Sequence, residues 1–247
     1  MRPIDLPTQQ TLKFVLEHAP VSNVTVLEVG CGHGELAFQL KSLGYQITAV
    51  DSSAEAVEQA RRLGVDAKVA QWPRFEGEPF DLILFTRSLH HIHPLDEAVA
   101  RAHRLLKPSG LVIVEDFAYE EVLPATVQWF YGVLTLLETC GKLHLESDSF
   151  AKTLLNGQGR FEIWRDRHRG DVSLASSIAV VLKNWFEPLD ECSAPYLYRY
   201  LCAALEDGDE GYAIALRVFE MEESLANAGA VNLIGRRFVG RRSMEEK

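Results

Sequence analysis

The chain has 247 residues, of which 47% are hydrophobic and 24% charged, a composition typical of a globular protein that buries a full core. Its net charge of −10 argues against a nucleic-acid partner, because such proteins usually carry a basic surface. We expect no secretion signal, because the N-terminal residues lack a basic stretch followed by an apolar one, and no apolar run reaches the roughly 18 residues that a membrane span needs. The four scattered cysteines indicate neither a zinc site nor a disulfide framework. We therefore expect a cytoplasmic protein with no membrane partner.

The first predicted elements are a helix, a buried strand and a glycine-rich turn. A helix over residues 8–18 ends before Pro20, and residues 24–29 have the apolar pattern of a buried strand. The turn that follows, Gly-Cys-Gly-His-Gly at 30–34, leads into apolar residues at helical spacing. Glycines permit a tight turn and a close approach of backbone to a ligand, so the turn is a predicted binding element. Cys31 is interpreted as a small side chain that fits beside the glycines, in preference to a nucleophile.

Strands and helices alternate from the glycine turn to residue 114. Further strands are predicted at residues 46–51, 67–70, 80–85 and 111–114. One helix follows a capping box formed by Ser52 and Glu55, and another runs from Pro94 to the Lys-Pro-Ser-Gly sequence at 107–110. This alternation predicts an α/β fold, with βαβ units, a parallel sheet and helices on both faces.

The pattern changes after the fifth strand. Residues 124–140 form an almost continuously apolar helix, which we expect to be buried as a cover over the active site. Residues 141–170 show no regular pattern. Helices at 173–183 and 212–228 and strands at 185–189 and 231–239 complete the prediction, with the two strands paired as a hairpin. We expect one domain over residues 1–247, with residues 117–170 as a helical cap insertion after strand five.

Five short motifs occur in one order along the predicted strands. They are Glu-Val-Gly-Cys-Gly-His-Gly at 28–34, Asp51, Phe-Asp at 80–81, Leu-His-His-Ile at 89–92 and Leu-Lys-Pro-Ser-Gly at 106–110. Together they resemble the class I methyltransferases that use S-adenosylmethionine, particularly the branch that acts on small molecules. The resemblance covers residues 24–115 and implies a Rossmann-like fold with a seven-stranded, mostly parallel sheet.

The resemblance also implies S-adenosylmethionine as the cofactor. Glu28 would lie near its methionine end, Thr86 would border that end, and Asp51 would accept both ribose hydroxyls as a bidentate carboxylate. The family often has an aspartate after strand three for the adenine amino group. Here Gln71 offers an amide oxygen as the acceptor and Trp72 a ring that could stack on the adenine. The predicted cofactor-binding residues are Glu28, Gly30, Cys31, Gly32, Gly34, Asp51, Ser52, Gln71, Trp72 and Thr86.

Four titratable residues are candidates for a general base. His90 or His91 could serve, because histidine titrates near neutrality, and Glu115 and Asp116 at the end of strand five are rivals. A metal site built from His90, His91 and His93 is disfavoured, because no set of carboxylates accompanies them.

The sequence is thus interpreted as an S-adenosylmethionine-dependent methyltransferase with a small-molecule acceptor, O- or N-methylation being favoured. Methyl transfer is an in-line displacement, so the protein mainly aligns the acceptor and excludes water. One alternative is a catalytically inactive cofactor-binding accessory protein, which the missing aspartate after strand three leaves open. Another is a nicotinamide-dependent oxidoreductase, which would need glycine at the position of Glu35 and a Ser/Tyr/Lys proton relay.

Overall fold

The computed structural model describes residues 1–20, 24–145, 149–167, 170 and 172–243, and the chain divides into two compact units. The first, called the sheet unit, consists of Gln10–Asp116, Val172–Cys192 and Arg236–Lys247. The second, called the helical unit, consists of Met1–Gln9, Phe117–Asp171 and Ser193–Gly235. Across the described ranges, no helix is long and apolar enough to cross a membrane.

The secondary structure alternates between strands and helices through most of the chain. The strands are β1 (Thr25–Val29), β2 (Gln46–Asp51), β3 (Asp66–Val69), β4 (Phe80–Thr86), β5 (Leu106–Phe117), β6 (Glu187–Ala194) and β7 (Gly235–Arg241). The α-helices are α1 (Leu6–His18), α2 (Glu35–Ser42), α3 (Ala54–Arg62), α4 (Leu95–Leu105), α5 (Pro124–Thr139), α6 (Phe150–Asn156), α7 (Arg160–Arg167), α8 (Ala175–Trp185), α9 (Tyr198–Cys202) and α10 (Asp209–Asn227).

The strands form one seven-stranded sheet in the order β3-β2-β1-β4-β5-β7-β6. Four pairings are parallel: β1 with β2, β1 with β4, β2 with β3, and β4 with β5. The order reverses at β1, so the carboxyl ends of β1 and β4 lie side by side at a topological switch point, where α/β folds bind their ligands. The predicted Rossmann-like, mostly parallel sheet is confirmed.

Both faces of the central sheet are buried, which explains why its strands are continuous apolar runs. On β1, Val26 belongs to one hydrophobic cluster and Leu27 to another, because successive side chains point to opposite faces. Helices α1, α2 and α3 contribute to the first cluster, and α4 and α8 contribute to the second. The sheet therefore has helices on both faces, as predicted.

The helical unit has a hydrophobic core of its own, rich in aromatic residues. Phe130 of α5, Trp164 of α7 and Tyr198 of α9 are fully buried. The indole Nε1 of Trp164 donates a hydrogen bond to the carbonyl of Tyr119 at 2.9 Å. The buried carboxylate of Glu222 on α10 accepts hydrogen bonds from three successive backbone N–H groups at residues 196–198.

Several predicted elements need correction. Ser53, not Ser52, caps α3, and its hydroxyl accepts a hydrogen bond from the Ala56 N–H at 3.2 Å. The predicted helix stop at 107–110 is part of β5, which begins at Leu106 and continues past a register shift. The strands β6 and β7 are neighbours in the sheet, but helices α9 and α10 separate them in sequence, so they are not a hairpin.

The segment at 117–170 differs from its prediction in helix content. Helix α5 ends one residue before the predicted limit, and the stretch with no predicted pattern contains α6 and α7. Both are short, at 7 and 8 residues, so their apolar residues form too few turns for a clear periodicity. The single-domain organisation and the covering role of residues 124–140 stay predictions.

Candidate functional site

The glycine turn connects β1 to α2 and is attached to the end of β2. The N–H groups of Gly30 and Cys31 both donate to the carbonyl of Val50, at 2.8 and 3.1 Å. A Cβ at Gly30 would lie 2.4 Å from the Cβ of Ser88, and a Cβ at Gly34 would lie 2.6 Å from that of Ala60. These two glycines therefore permit close packing against neighbouring segments of the protein.

Gly32 serves a different purpose in the same turn. Its φ is +54°, and among the described residues no heavy atom lies within 4 Å of where its Cβ would be. The space beside it is open and belongs to a cavity of about 590 Å³. This volume falls in the range of ~300–1,000 Å³ typical of small-molecule sites. A glycine that faces such a space leaves room for a ligand at backbone distance.

Asp51 ends β2 and connects the glycine turn to the start of α3. Its Oδ2 accepts a hydrogen bond from the Gly32 N–H at 2.9 Å, and its Oδ1 accepts one from the Ser53 N–H at 2.8 Å. The carboxylate is half-buried and lines the cavity. Each carboxylate oxygen has a further acceptor position, so Asp51 can bind a pair of hydroxyl groups while it holds the turn.

The cavity brings together seven of the predicted site residues and seven that were not predicted. The predicted ones are Gly30, Gly32, Asp51, Ser52, Gln71, Trp72 and His91. The others are Val29, Val50, Ala70, Arg87, Ser88, Ile92 and His93. The sequence could have predicted two residues of the second group, because Arg87 and Ser88 directly follow β4 at the carboxyl edge of the sheet, where α/β folds bind ligands.

Trp72 occupies a fixed position at one wall of this cavity. Its indole Nε1 donates to the carbonyl of Ala98 at 3.0 Å, and its ring meets Phe85 edge to face at a centroid distance of 5.7 Å. The neighbouring Gln71 is exposed. The part of the cavity wall that follows β3 therefore has one aromatic ring held in place and one exposed amide side chain.

Glu28 and Thr86 lie outside the lining of the cavity, buried at the ends of β1 and β4. The Thr86 hydroxyl donates to Glu28 Oε1 at 3.2 Å, and burial raises the pKa of Glu28 to about 8. Within the described part of the chain, Glu28 Oε2 is buried without a hydrogen-bond partner. Glu28 is therefore mostly protonated near neutral pH and lies behind the glycine turn, away from the open space of the cavity.

Cys31 also lies outside the cavity lining. Its side chain is buried in the hydrophobic cluster on one face of the sheet, and burial raises the pKa of its thiol to about 12. The thiol is therefore protonated near neutral pH, and a protonated thiol is a poor nucleophile. This supports the interpretation of Cys31 as a small packing residue.

The structure separates the four candidate bases. Glu115 is buried and turned toward α1 and β7, where it accepts a hydrogen bond from Thr11 at 2.6 Å and pairs with Arg237 at 2.8 Å. Asp116 pairs instead with His90, and His91 alone of the four lines the cavity. Over the described residues, no group of three or more His, Cys, Asp or Glu side chains is arranged to hold a metal ion.

Comparison with known sequences adds independent information. A family model described as "Methyltransferase domain" matches residues 7–157 of this chain. A ubiquinone biosynthesis O-methyltransferase from Caulobacter vibrioides is 32% identical over 105 residues, which are 39% of this chain and 42% of that protein. The match thus spans less than half the length of this curated relative.

Solved structures show the same fold over nearly the whole chain. The N-methyltransferase NodS from Bradyrhizobium japonicum, in complex with S-adenosyl-l-homocysteine, has a TM-score of 0.53 at 13% identity, covering 98% of this chain and 88% of NodS. An S-adenosylmethionine-dependent methyltransferase from Mesorhizobium loti has a TM-score of 0.57 at 14% identity, covering 97% and 98%. At these identities the likeness concerns the fold alone.

Proposed function

Because this chain belongs to the methyltransferase domain family, within the class I S-adenosylmethionine-dependent methyltransferases, we propose that it transfers a methyl group from S-adenosylmethionine to a small-molecule acceptor. The observation that carries the proposal is the joint placement of Gly32, Asp51 and His91 around one cavity at the switch point of the sheet. Gly32 and Asp51 suit a nucleoside ligand, and His91 suits an acceptor that loses a proton.

The chain's own residues provide for each part of the cofactor. The Asp51 carboxylate would take the ribose hydroxyls, and Gln71 and Trp72 would contact the adenine. Glu28, buried behind the glycine turn, would lie near the methionine end without touching it. The open space at Gly32 leaves backbone close to the ligand. When bound, S-adenosylmethionine supplies a methyl group activated by a sulfonium centre.

For the acceptor, we propose a small molecule methylated on oxygen or nitrogen. The relative from Caulobacter vibrioides is named an O-methyltransferase and NodS an N-methyltransferase, so both atoms occur among proteins similar to this chain. Within the sheet unit, residues at the cavity would align the acceptor and exclude water, which is the main requirement of an in-line displacement.

The decisive experiment measures binding and turnover in the same preparation. Titration calorimetry with S-adenosylmethionine and S-adenosylhomocysteine should give saturable 1:1 binding that Asp51→Ala weakens. Asp66→Ala is the matched control, because Asp66 is an exposed carboxylate on the neighbouring strand β3 and lies outside the cavity lining. Methyl-labelled cofactor incubated with panels of phenols and amines should label an acceptor.

Each result of that experiment separates the hypotheses. Binding without transfer to any acceptor would favour the inactive accessory protein. Absence of binding to either nucleoside, with binding of a nicotinamide cofactor, would overturn the proposal in favour of an oxidoreductase.

A further inference from the structure

Arg87, the first residue after β4, lines the cavity and has an unusual backbone conformation. Its φ is +61°, and it is one of two non-glycine residues with a positive φ in the described part of the chain. Residues other than glycine rarely adopt this conformation, because the side chain then crowds the backbone. Such strain persists only where the surrounding contacts impose it, and it occurs most often at functional sites.

Hydrogen bonds on both sides of Arg87 hold this backbone. The Arg87 N–H donates to the carbonyl of Glu115 on β5 at 2.6 Å, and the Ser88 hydroxyl donates to the carbonyl of Val29 at 2.6 Å. Glu115 is itself fixed, because its side chain is buried and pairs with Arg237 at 2.8 Å. The base of the Arg87 side chain therefore has a fixed place relative to the sheet.

The guanidinium of Arg87 brings a permanent positive charge to the cavity that the glycine turn also lines. Arginine stays protonated at every pH at which proteins are folded. Burial is the main cause that raises the pKa of Glu28, and the charge of Arg87 opposes that effect, so this charge also acts at the end of β1. Because Glu28 is mostly protonated near neutral pH, it gives Arg87 little negative charge in return.

The charges around the cavity do not balance once S-adenosylmethionine is bound. Among the described residues that line it, Asp51 carries a carboxylate and Arg87 a guanidinium, and the other ionisable side chains are the two histidines His91 and His93. The cofactor has a carboxylate, an ammonium and a sulfonium, so it adds one net positive charge. A protonated histidine would increase this excess. With a neutral acceptor, one positive charge would thus stay uncompensated at a site that excludes water, which is costly.

We propose that Arg87 binds a carboxylate of the methyl acceptor, and that the acceptor is therefore a small organic acid. This inference rests on the proposed methyl transfer. An acid supplies the one negative charge that balances the sulfonium, and a guanidinium binds a carboxylate through two parallel hydrogen bonds. The fixed backbone at Arg87 gives this contact a defined place in the cavity.

The bound carboxylate holds the acceptor and is not the group that is methylated. It is a poor nucleophile, because the guanidinium engages its electron pairs. Another oxygen or nitrogen of the acceptor forms the bond to the methyl carbon while the carbon–sulfur bond breaks. The electron pair of that bond stays on sulfur, and the proton of the methylated atom leaves to solvent.

The carboxylate of the cofactor is a second possible source of the same chemistry. If Arg87 bound that group, every ligand with the methionine part would depend on Arg87, and the choice of acceptor would not. The charges favour the acceptor, because a pair between Arg87 and the cofactor's own carboxylate leaves the excess of one positive charge unchanged.

Titration calorimetry with Arg87→Gln distinguishes these two sources. Glutamine removes the charge but keeps a long polar side chain. S-adenosylhomocysteine should bind this variant with near wild-type affinity, and so should 5′-methylthioadenosine, which lacks the amino-acid part. A loss of about 10-fold or more for S-adenosylhomocysteine, with none for 5′-methylthioadenosine, would assign Arg87 to the cofactor and overturn its assignment to the acceptor. Arg62→Gln is the control, since Arg62 is exposed at the end of α3 and lies outside the cavity lining.

The acceptor is tested with methyl-labelled cofactor and pairs of small molecules that differ only in a carboxylate or a carboxamide. The probes are 3-hydroxybenzoate with 3-hydroxybenzamide and 3-aminobenzoate with 3-aminobenzamide. The wild-type protein should prefer the acid of a pair. Arg87→Gln should lower kcat/KM for that acid by about 10- to 100-fold, mainly through KM, and leave the amide unchanged. Arg87→Lys keeps the charge without the planar fork and should show an intermediate preference, which carries the test if Arg87→Gln does not fold.

The results separate this inference from the proposed function. Equal use of acid and amide by the wild-type protein, use of neither acid, or an acid preference that Arg87→Gln retains would overturn the inference and leave methyl transfer in place. A wild-type protein that binds no S-adenosylmethionine would overturn the proposed function itself.

Discussion

Replacement of Asp51 by alanine should weaken cofactor binding far more than it weakens folding. The carboxylate lines the cavity and would accept two ribose hydroxyls, and a lost charge-assisted bidentate contact costs about 2–3 kcal/mol, roughly a 30- to 160-fold increase in Kd. The variant also loses the acceptor for the N–H groups of Gly32 and Ser53. Because Asp51 is only half-buried, water can replace part of those bonds, and we expect a stability loss of about 1–2 kcal/mol.

Ser53→Ala separates the two effects. It removes the side-chain cap of α3, which costs ~1 kcal/mol of stability, and Ser53 is not part of the cavity lining. Urea unfolding should therefore show similar losses in Asp51→Ala and Ser53→Ala, whereas titration calorimetry with S-adenosylhomocysteine should show a large change in Kd only for Asp51→Ala. Wild-type affinity in a folded Asp51→Ala protein, or an equal loss of affinity in Ser53→Ala, would refute the assignment of Asp51 to the ribose.

Three further predictions concern the turn and two buried carboxyl groups. Gly32→Val should abolish cofactor binding in calorimetry but leave a folded protein. Gly44→Val, also at a positive φ and with similarly open surroundings, should bind normally, and equal loss in both would contradict the role of Gly32. Burial raises the pKa of Glu28 from 4.5 to about 8, so the free energy of unfolding of the wild-type protein should fall as pH rises from about 4.5 to 8. Glu28→Gln should lack this pH-dependent part of the stability. Identical pH slopes of the two proteins in urea unfolding would contradict the raised pKa. Glu222→Ala leaves the three backbone donors at 196–198 unpaired and should cost about 3 kcal/mol or more in urea unfolding, and a change below 1 kcal/mol would contradict this.

The sequence predicts the sheet well because its strands carry strong local signals. Buried parallel strands such as β4 are continuous apolar runs, and the bounds of β2 agree at both ends. The fold class and the binding edge follow from the alternation of strands and helices. The cap of α3 was missed because Ser52 and Ser53 are equally suitable residue types, and only the backbone conformation selects Ser53.

The limits are clearest where tertiary contacts decide the outcome. Glu115 and Asp116 are adjacent at the end of β5, and the sequence makes them equal rivals. The alternation of a strand sends their side chains in opposite directions, so one meets Arg237 and the other meets His90. The partners come from residues far away in sequence, which periodicity does not reveal. Helix α9 was missed because it has only 5 residues and because the N–H of its first residue, Tyr198, finds its acceptor on Glu222 of a later helix.

The contact between Gly30 and Ser88 has a consequence for how sequences with this fold vary. A Cβ at position 30 would overlap the Ser88 side chain, whose hydroxyl donates to the Val29 carbonyl at 2.6 Å. A larger residue at 30 is therefore tolerable only with glycine at 88, and that exchange would leave the Val29 carbonyl without its hydroxyl donor. The two positions should thus change together or not at all. We therefore expect these two positions to covary among related sequences, so that the glycine turn at 30–34 and the segment after β4 constrain each other.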